Sequence, residues 1–122
     1  MLRVCTLFLL LPLMFSQPAY ADDALATMAG IVLSIQHFPT AEDKAALGAI
    51  GESEASDAVK AIAGAIANIN HMPSDADKAA LQAIAADDGQ PAGVRDLAGI
   101  VAGFAHFAGA DASDTLKALA GP

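Results

Sequence analysis

What this sequence has little of limits its chemistry. It has no tryptophan, one cysteine, one tyrosine, and six lysines and arginines against fourteen acids. The cysteine, Cys5, and the tyrosine, Tyr20, both fall in an N-terminal segment with its own character. Arg3 is followed by an apolar run from Val4 to Phe15 and then by Ser16-Gln17-Pro18-Ala19-Tyr20-Ala21. A basic start, an apolar middle and small residues two apart are the layout of a secretory signal, with cleavage expected after Ala21. The apolar run is shorter than the roughly 20 residues of a bilayer-spanning helix, so no stable membrane span is expected after cleavage. The expected layout is a signal peptide over 1–21 and one domain over 22–122, periplasmic or secreted. A domain without cysteine excludes disulfides, thiolate ligands and thiol nucleophiles.

The shortage of cations has its own consequence. Cleavage also removes Arg3, leaving five basic residues against fourteen acids and a net charge of −9. Such a surface repels phosphate backbones, so nucleic acid is not expected as a partner. Phe38, Phe104 and Phe107 are the only aromatics left. The core must then be made of Ala, Ile, Leu and Val, with close helix packing in place of bulk.

What the chain does have is a repeat. The stretch from His37 to Ile50 matches that from His71 to Ile84 at nine of fourteen positions, 34 residues apart. A third copy starts at His106 and keeps Leu116 and Leu119 where the others have Leu47/Ile50 and Leu81/Ile84. It loses the proline and the Asp-Lys pair, as terminal repeats often do. Upstream of each histidine lies a matched block: Leu25, Met28, Val32, Ile35; Val59, Ile62, Ile66, Ile69; Val94, Leu97, Val101, Phe104. Spacings of three, four and three put each set on one helix face. After each histidine a second, shorter helix is expected. Thr40 and Ser74 are its N-caps, and Asp43 and Asp77 stand three residues later. Pro39 and Pro73 separate the two helices, and the segments 51–56 and 87–93 read as turns. No strand pattern is present. The expected fold is all-α: three stacked hairpins of six helices, a right-handed α-solenoid-like array with units at roughly 22–50, 53–84 and 91–120.

The segment from Asp87 to Gly103, an acidic turn followed by Val94-Arg95 and then Ala98, resembles a HEAT-type repeat, and Val59-Lys60 with Ala63 echoes it. The resemblance covers about two of the three units. It implies a scaffold that binds a protein or peptide and carries no catalytic residues. Tetratricopeptide repeats share the period, but Asp75 falls where that pattern needs a small packing alanine.

Each histidine has a glycine seven residues before it: Gly30 and His37, Gly64 and His71, Gly99 and His106. At 100° per residue these pairs share a face roughly opposite the apolar stripe, which makes that face the candidate binding surface. One reading is structural. A histidine at a helix C-terminus complements the dipole and bonds free carbonyls, while the glycine lets a second helix approach. The other reading is a metal site, since neutral imidazole suits Zn, Cu or Ni. Helices about 8–10 Å apart let two adjacent histidines share an ion. All three can do so only if the stack closes up tightly. Met72 next to His71 is expected to pack rather than ligate, because Phe38 and Phe107 hold the equivalent places. Asp75-Ala76-Asp77 begins like a calcium loop but lacks the later ligands. No nucleophile elbow, phosphate loop or paired-carboxylate arrangement is present, so an enzyme is not expected. The sequence therefore points first to a small exported acidic module that binds a protein or peptide whose own surface is basic or mixed, with self-association through an exposed face as a further expectation. It points second to a metal-binding protein using one histidine per repeat.

Overall fold

A computed structural model describes residues 16–106 and 108–121, with side chains described from residue 23 onward. The expected signal segment thus lies outside the described residues, apart from the backbone of 16–21, which belongs to the first helix. The described chain is all-helical: α1 Ser16–Ser34, α2 Ala41–Gly51, α3 Asp57–Ala67, α4 Asp75–Ala85, α5 Ala92–Ala102 and α6 Ala110–Ala120. These form three hairpins. None of the described helices is long and apolar enough to cross a membrane.

The helix starts follow the cap chemistry of the sequence. The Thr40 hydroxyl accepts from the Asp43 N–H at 3.0 Å, and the Asp43 carboxylate accepts from the Thr40 N–H at 3.1 Å, a complete capping box for α2. Ser74 caps α4 by accepting from the Asp77 N–H at 3.1 Å. Ser56 does the same for α3 through Val59. Satisfying these orphan N–H groups contributes about 1 kcal/mol per helix. The helix lengths differ from the expectation of unequal partners. From α2 onward every helix has 11 residues. The first helix of each later hairpin stops at Ala67 or Ala102, several residues short of its histidine. The apolar periodicity runs past the helix end because Ile35, Ile69 and Phe104, already in the connecting loop, still turn into the core.

All twelve stripe positions are buried, and Leu47, Leu81 and Leu116 of the second helices join them. The three first helices α1, α3 and α5 pack against one another and form the inner layer. Each second helix lies outside, mainly against the first helix of the next unit: α2 on α3, α4 on α5, and α6 back on α1. The stack of hairpins is therefore closed into a ring with pseudo-threefold symmetry. Gly93, at the start of α5, marks the closure. A Cβ there would meet Leu25 of α1 at 3.2 Å and Leu119 of α6 at 3.3 Å. Gly30, Gly64 and Gly99 do not perform the close-approach role expected of them. Nothing lies within 4 Å of where a Cβ would sit on the first two, and Gly99 has only an ordinary contact with Ala85 at 3.8 Å. Close packing inside the ring uses Ala29, Ala63 and Ala98 instead, all fully buried.

This packing has a direct consequence for stability. Ile62→Ala leaves a cavity in the inner layer and is expected to cost about 2–5 kcal/mol. Ala63→Leu overfills the same layer and is expected to cost about 1–3 kcal/mol. Urea unfolding followed by circular dichroism measures both. Two variants indistinguishable from the parent would mean that the inner layer is not packed in this way.

Candidate metal centre

Each hairpin turns at its histidine. His37, His71 and His106 have φ of 92°, 70° and 68°, and they are the only non-glycine residues in the left-handed region among those described. A Cβ in that region crowds the following carbonyl and costs roughly 1–2 kcal/mol per residue, although histidine is found there several-fold more often than most side chains. In the second unit the reversal is tight: the Asn70 N–H donates to the Met72 carbonyl across His71 at 3.2 Å.

The same three residues join the hairpins to one another. The His71 N–H donates to the His37 carbonyl at 2.5 Å, the His106 N–H to the His71 carbonyl at 2.5 Å, and the His37 N–H to the His106 carbonyl at 2.8 Å. The result is a closed cycle of backbone hydrogen bonds joining equivalent positions of the three units, with one donor and one acceptor from each unit. The left-handed turn aims the N–H and the C=O of one residue at its two neighbours, and this gives the strain a structural reason.

Above that cycle the imidazoles converge. Their ring centroids are 4.9, 5.2 and 5.4 Å apart, with the rings edge to face. The Nδ1 atom of His71 lies 3.2 Å from that of His37 and 3.3 Å from that of His106. One ring nitrogen from each of the three lies within 4.8 Å of the others. Two ligands about 2.0–2.1 Å from a tetrahedral ion are about 3.3–3.4 Å apart, so the two short separations already match a shared ion. The third edge is the longer one and needs a modest ring movement. Without an ion the arrangement is awkward. A pair of neutral imidazoles meeting through Nδ1 needs a proton on one of the two atoms, whereas one cation engages three lone pairs together.

All three rings are exposed, and among the described residues their only side-chain hydrogen-bond partners are one another. The C-termini of the inner helices α1, α3 and α5 and the N-termini of the outer helices meet at this pole, so their dipoles largely offset and side chains set its charge. The first turns of the outer helices begin there too and carry Glu42, Asp43, Asp75, Asp77 and Asp111. Only Lys44 and Lys78 lie close to them in sequence, so the pole is a cation-attracting end of an acidic chain.

No family model, curated protein or solved structure matches this chain. The site must be read from its own residues.

Of the six residues on the expected binding face, the structure brings the three histidines together and leaves the three glycines apart. The glycines sit two turns back along separate helices and take no part in the cluster. The expected capping role does not hold, because each histidine stands beyond its helix end and its ring faces other rings. At α3 and α5 the final carbonyls are met by the backbone N–H groups of Asn68 and Gly103. Met72, expected to pack, is exposed beside the triad, as is Phe38. Phe107, in the equivalent place, lies outside the described residues. A shallow depression lined by Asp23, Thr27, Ala49 and Ser53 among others lies at the opposite end. With Asp23 as its one titratable side chain, it offers no ligand set.

The left-handed turn can be tested without metal. His71→Gly removes the Cβ crowding but adds chain entropy, and is expected to stay within about 1 kcal/mol of the parent. His71→Val is expected to fall about 1–2 kcal/mol below the glycine variant, because a β-branched side chain is a genuine outlier at positive φ. Equilibrium unfolding in a chelator-treated buffer distinguishes the two. Equal stabilities would remove the strained turn from the account.

Proposed function

We propose that this protein binds a single transition-metal ion through His37, His71 and His106 and holds it reversibly at an exposed pole. The observation that carries the reading is the convergence of three imidazoles from three different repeats, with the His71 Nδ1 at 3.2 and 3.3 Å from the Nδ1 atoms of His37 and His106 and one ring nitrogen of each within 4.8 Å of the others. Three neutral nitrogen donors without thiolate or carboxylate suit zinc, copper(II) or nickel, with zinc the best match to a tetrahedral arrangement. Metal-ligating histidines commonly donate their second ring N–H to a carboxylate or carbonyl, which holds the ligand in place. Among the described residues no carboxylate or carbonyl accepts from these rings, which favours an exchangeable ion over a permanent structural one. Export to the periplasm or beyond belongs to the same proposal and is supported by the signal-like first 21 residues, as a metal-handling role outside the cytoplasm. A HEAT-like origin of the hairpin is also part of the proposal, supported by the acidic turn and the Val-Arg and Val-Lys pairs.

A second reading, a protein- or peptide-binding module, draws support from Phe38 and Met72, two large apolar side chains exposed at the same pole. The two readings are compatible if a partner approaches over the ion.

Titration of chelator-treated protein with zinc, copper and nickel is expected to give one ion per chain. Because the ligands come from three hairpins that must all be in place, binding also stabilises the fold, by about 2.7 kcal/mol when free metal is 100 times Kd. The thermal midpoint should rise accordingly. Replacing any single histidine by alanine should weaken binding by more than the roughly 10–100-fold that loss of an outer partner costs. Calorimetry showing equal metal affinity for the triple alanine variant would overturn the reading.

A further inference from the structure

We infer that the zinc-loaded triad is a hydrolytic centre for small uncharged esters, with a water on the ion as the nucleophile; this rests on the metal reading above. The three donors all come from one side. Beneath them lie the cycle of backbone hydrogen bonds and then the buried side chains Ile35, Ile69 and Phe104, so an ion bound by the three Nδ1 atoms faces outward. Three imidazoles leave the fourth tetrahedral position vacant, and the exposed rings leave that position open to solvent. A zinc ion with three protein ligands and a water is the arrangement of catalytic rather than structural zinc, and such an ion lowers the pKa of its water to about 7. No side chain of this protein has to act as nucleophile or base, which agrees with the lack of any side-chain catalytic arrangement in the sequence.

The step balances without an oxidant or a second reactant beyond water. The oxygen of the zinc-held hydroxide forms a bond to the acyl carbon. The acyl carbon–oxygen bond of the ester then breaks, and its electron pair leaves with the alkoxide or aryloxide. The carboxylic acid so formed passes its proton to the alkoxide, or to the buffer where a weakly basic aryloxide has left, and departs as the carboxylate. A new water then binds the ion and gives a proton to the buffer, which restores the hydroxide. The surroundings set the substrate class. Carboxylates in the first turns of α2, α4 and α6 disfavour anionic esters. Among the described residues no walls enclose the exposed position, so a substrate is held there chiefly through the ion. The rate is therefore expected to be first order in a small ester, without saturation.

The test uses 4-nitrophenyl acetate with the chelator-treated protein, the same sample reloaded with zinc, and an equal concentration of free zinc, with bound zinc measured in each case. Hydrolysis proportional to bound zinc, above that of free zinc and lost on chelation, is the expected result. The variant H37N/H71N/H106N keeps a residue type that tolerates the left-handed turn and is expected to lose the zinc-dependent rate completely while remaining helical. Should that variant fail to fold, chelation and reloading of the parent still decide the matter. Zinc bound without hydrolysis above free zinc overturns the hydrolytic centre and leaves the metal site standing. No zinc bound overturns both. A rate that persists in the asparagine variant also overturns the inference, because the activity would then lie elsewhere.

Discussion

The cycle of three backbone hydrogen bonds among His37, His71 and His106 is the constraint on which the rest of the structure depends. Repeated helical hairpins ordinarily stack in an open row, each burying its apolar face on the next and leaving two ends to be capped. Here every unit gives one N–H and takes one carbonyl, and three units satisfy the cycle with nothing left over. The outer helix of the last hairpin then finds its groove on the first. The apolar end faces that an open array would expose are covered by the chain itself. A chain of 122 residues with few aromatics has little core to spare, and closing the ring raises the share of that core kept from water.

The strained turns follow from the same constraint. A residue whose N–H and C=O must point to two different neighbours around an axis cannot be helical or extended, and positive φ provides the required divergence. Glycine would adopt it at less cost. A side chain is kept instead at all three positions, and each time it is imidazole. The backbone requirement explains the conformation but not this side chain. The metal reading does, because the conformation that closes the cycle also gathers the ring nitrogens above it.

Much of the fold was legible in the sequence. The stripes Leu25 to Ile35, Val59 to Ile69 and Val94 to Phe104 all reach the core, and Thr40, Asp43 and Ser74 act as the helix starts they resemble. These features are local, so periodicity and cap chemistry reveal them. The closure was not legible. Helical spacing specifies which face is buried but not the angle between successive hairpins, and a row and a ring share the same pattern. That is why three histidines reaching one ion depended on a closure the repeat alone does not show. The glycines misled for a related reason. Seven-residue spacing placed Gly30, Gly64 and Gly99 on the histidine side of an ideal helix, but the helix ends before the histidine and the phase is lost in the loop. The available signal lay in the histidines themselves. Each is the one polar side chain repeated in all three units, retained even in the last, where the proline and the Asp-Lys pair have gone.

The packing of α6 against α1 also bears on how the chain is strung through the ring. The three units meet through equivalent junctions, and only two of these junctions are spanned by the covalent chain. The third, between α6 and α1, is held by side-chain packing and the hydrogen bond from His37 to His106. Apart from Gly93, the junction without a covalent link is packed as the two that have one are. The order of the units along the chain is thus a matter of connectivity rather than of architecture. A circular permutant opened in the turn at 51–56 or 87–91 and joined between α6 and α1 would present the same cycle, the same inner helices and the same three imidazoles.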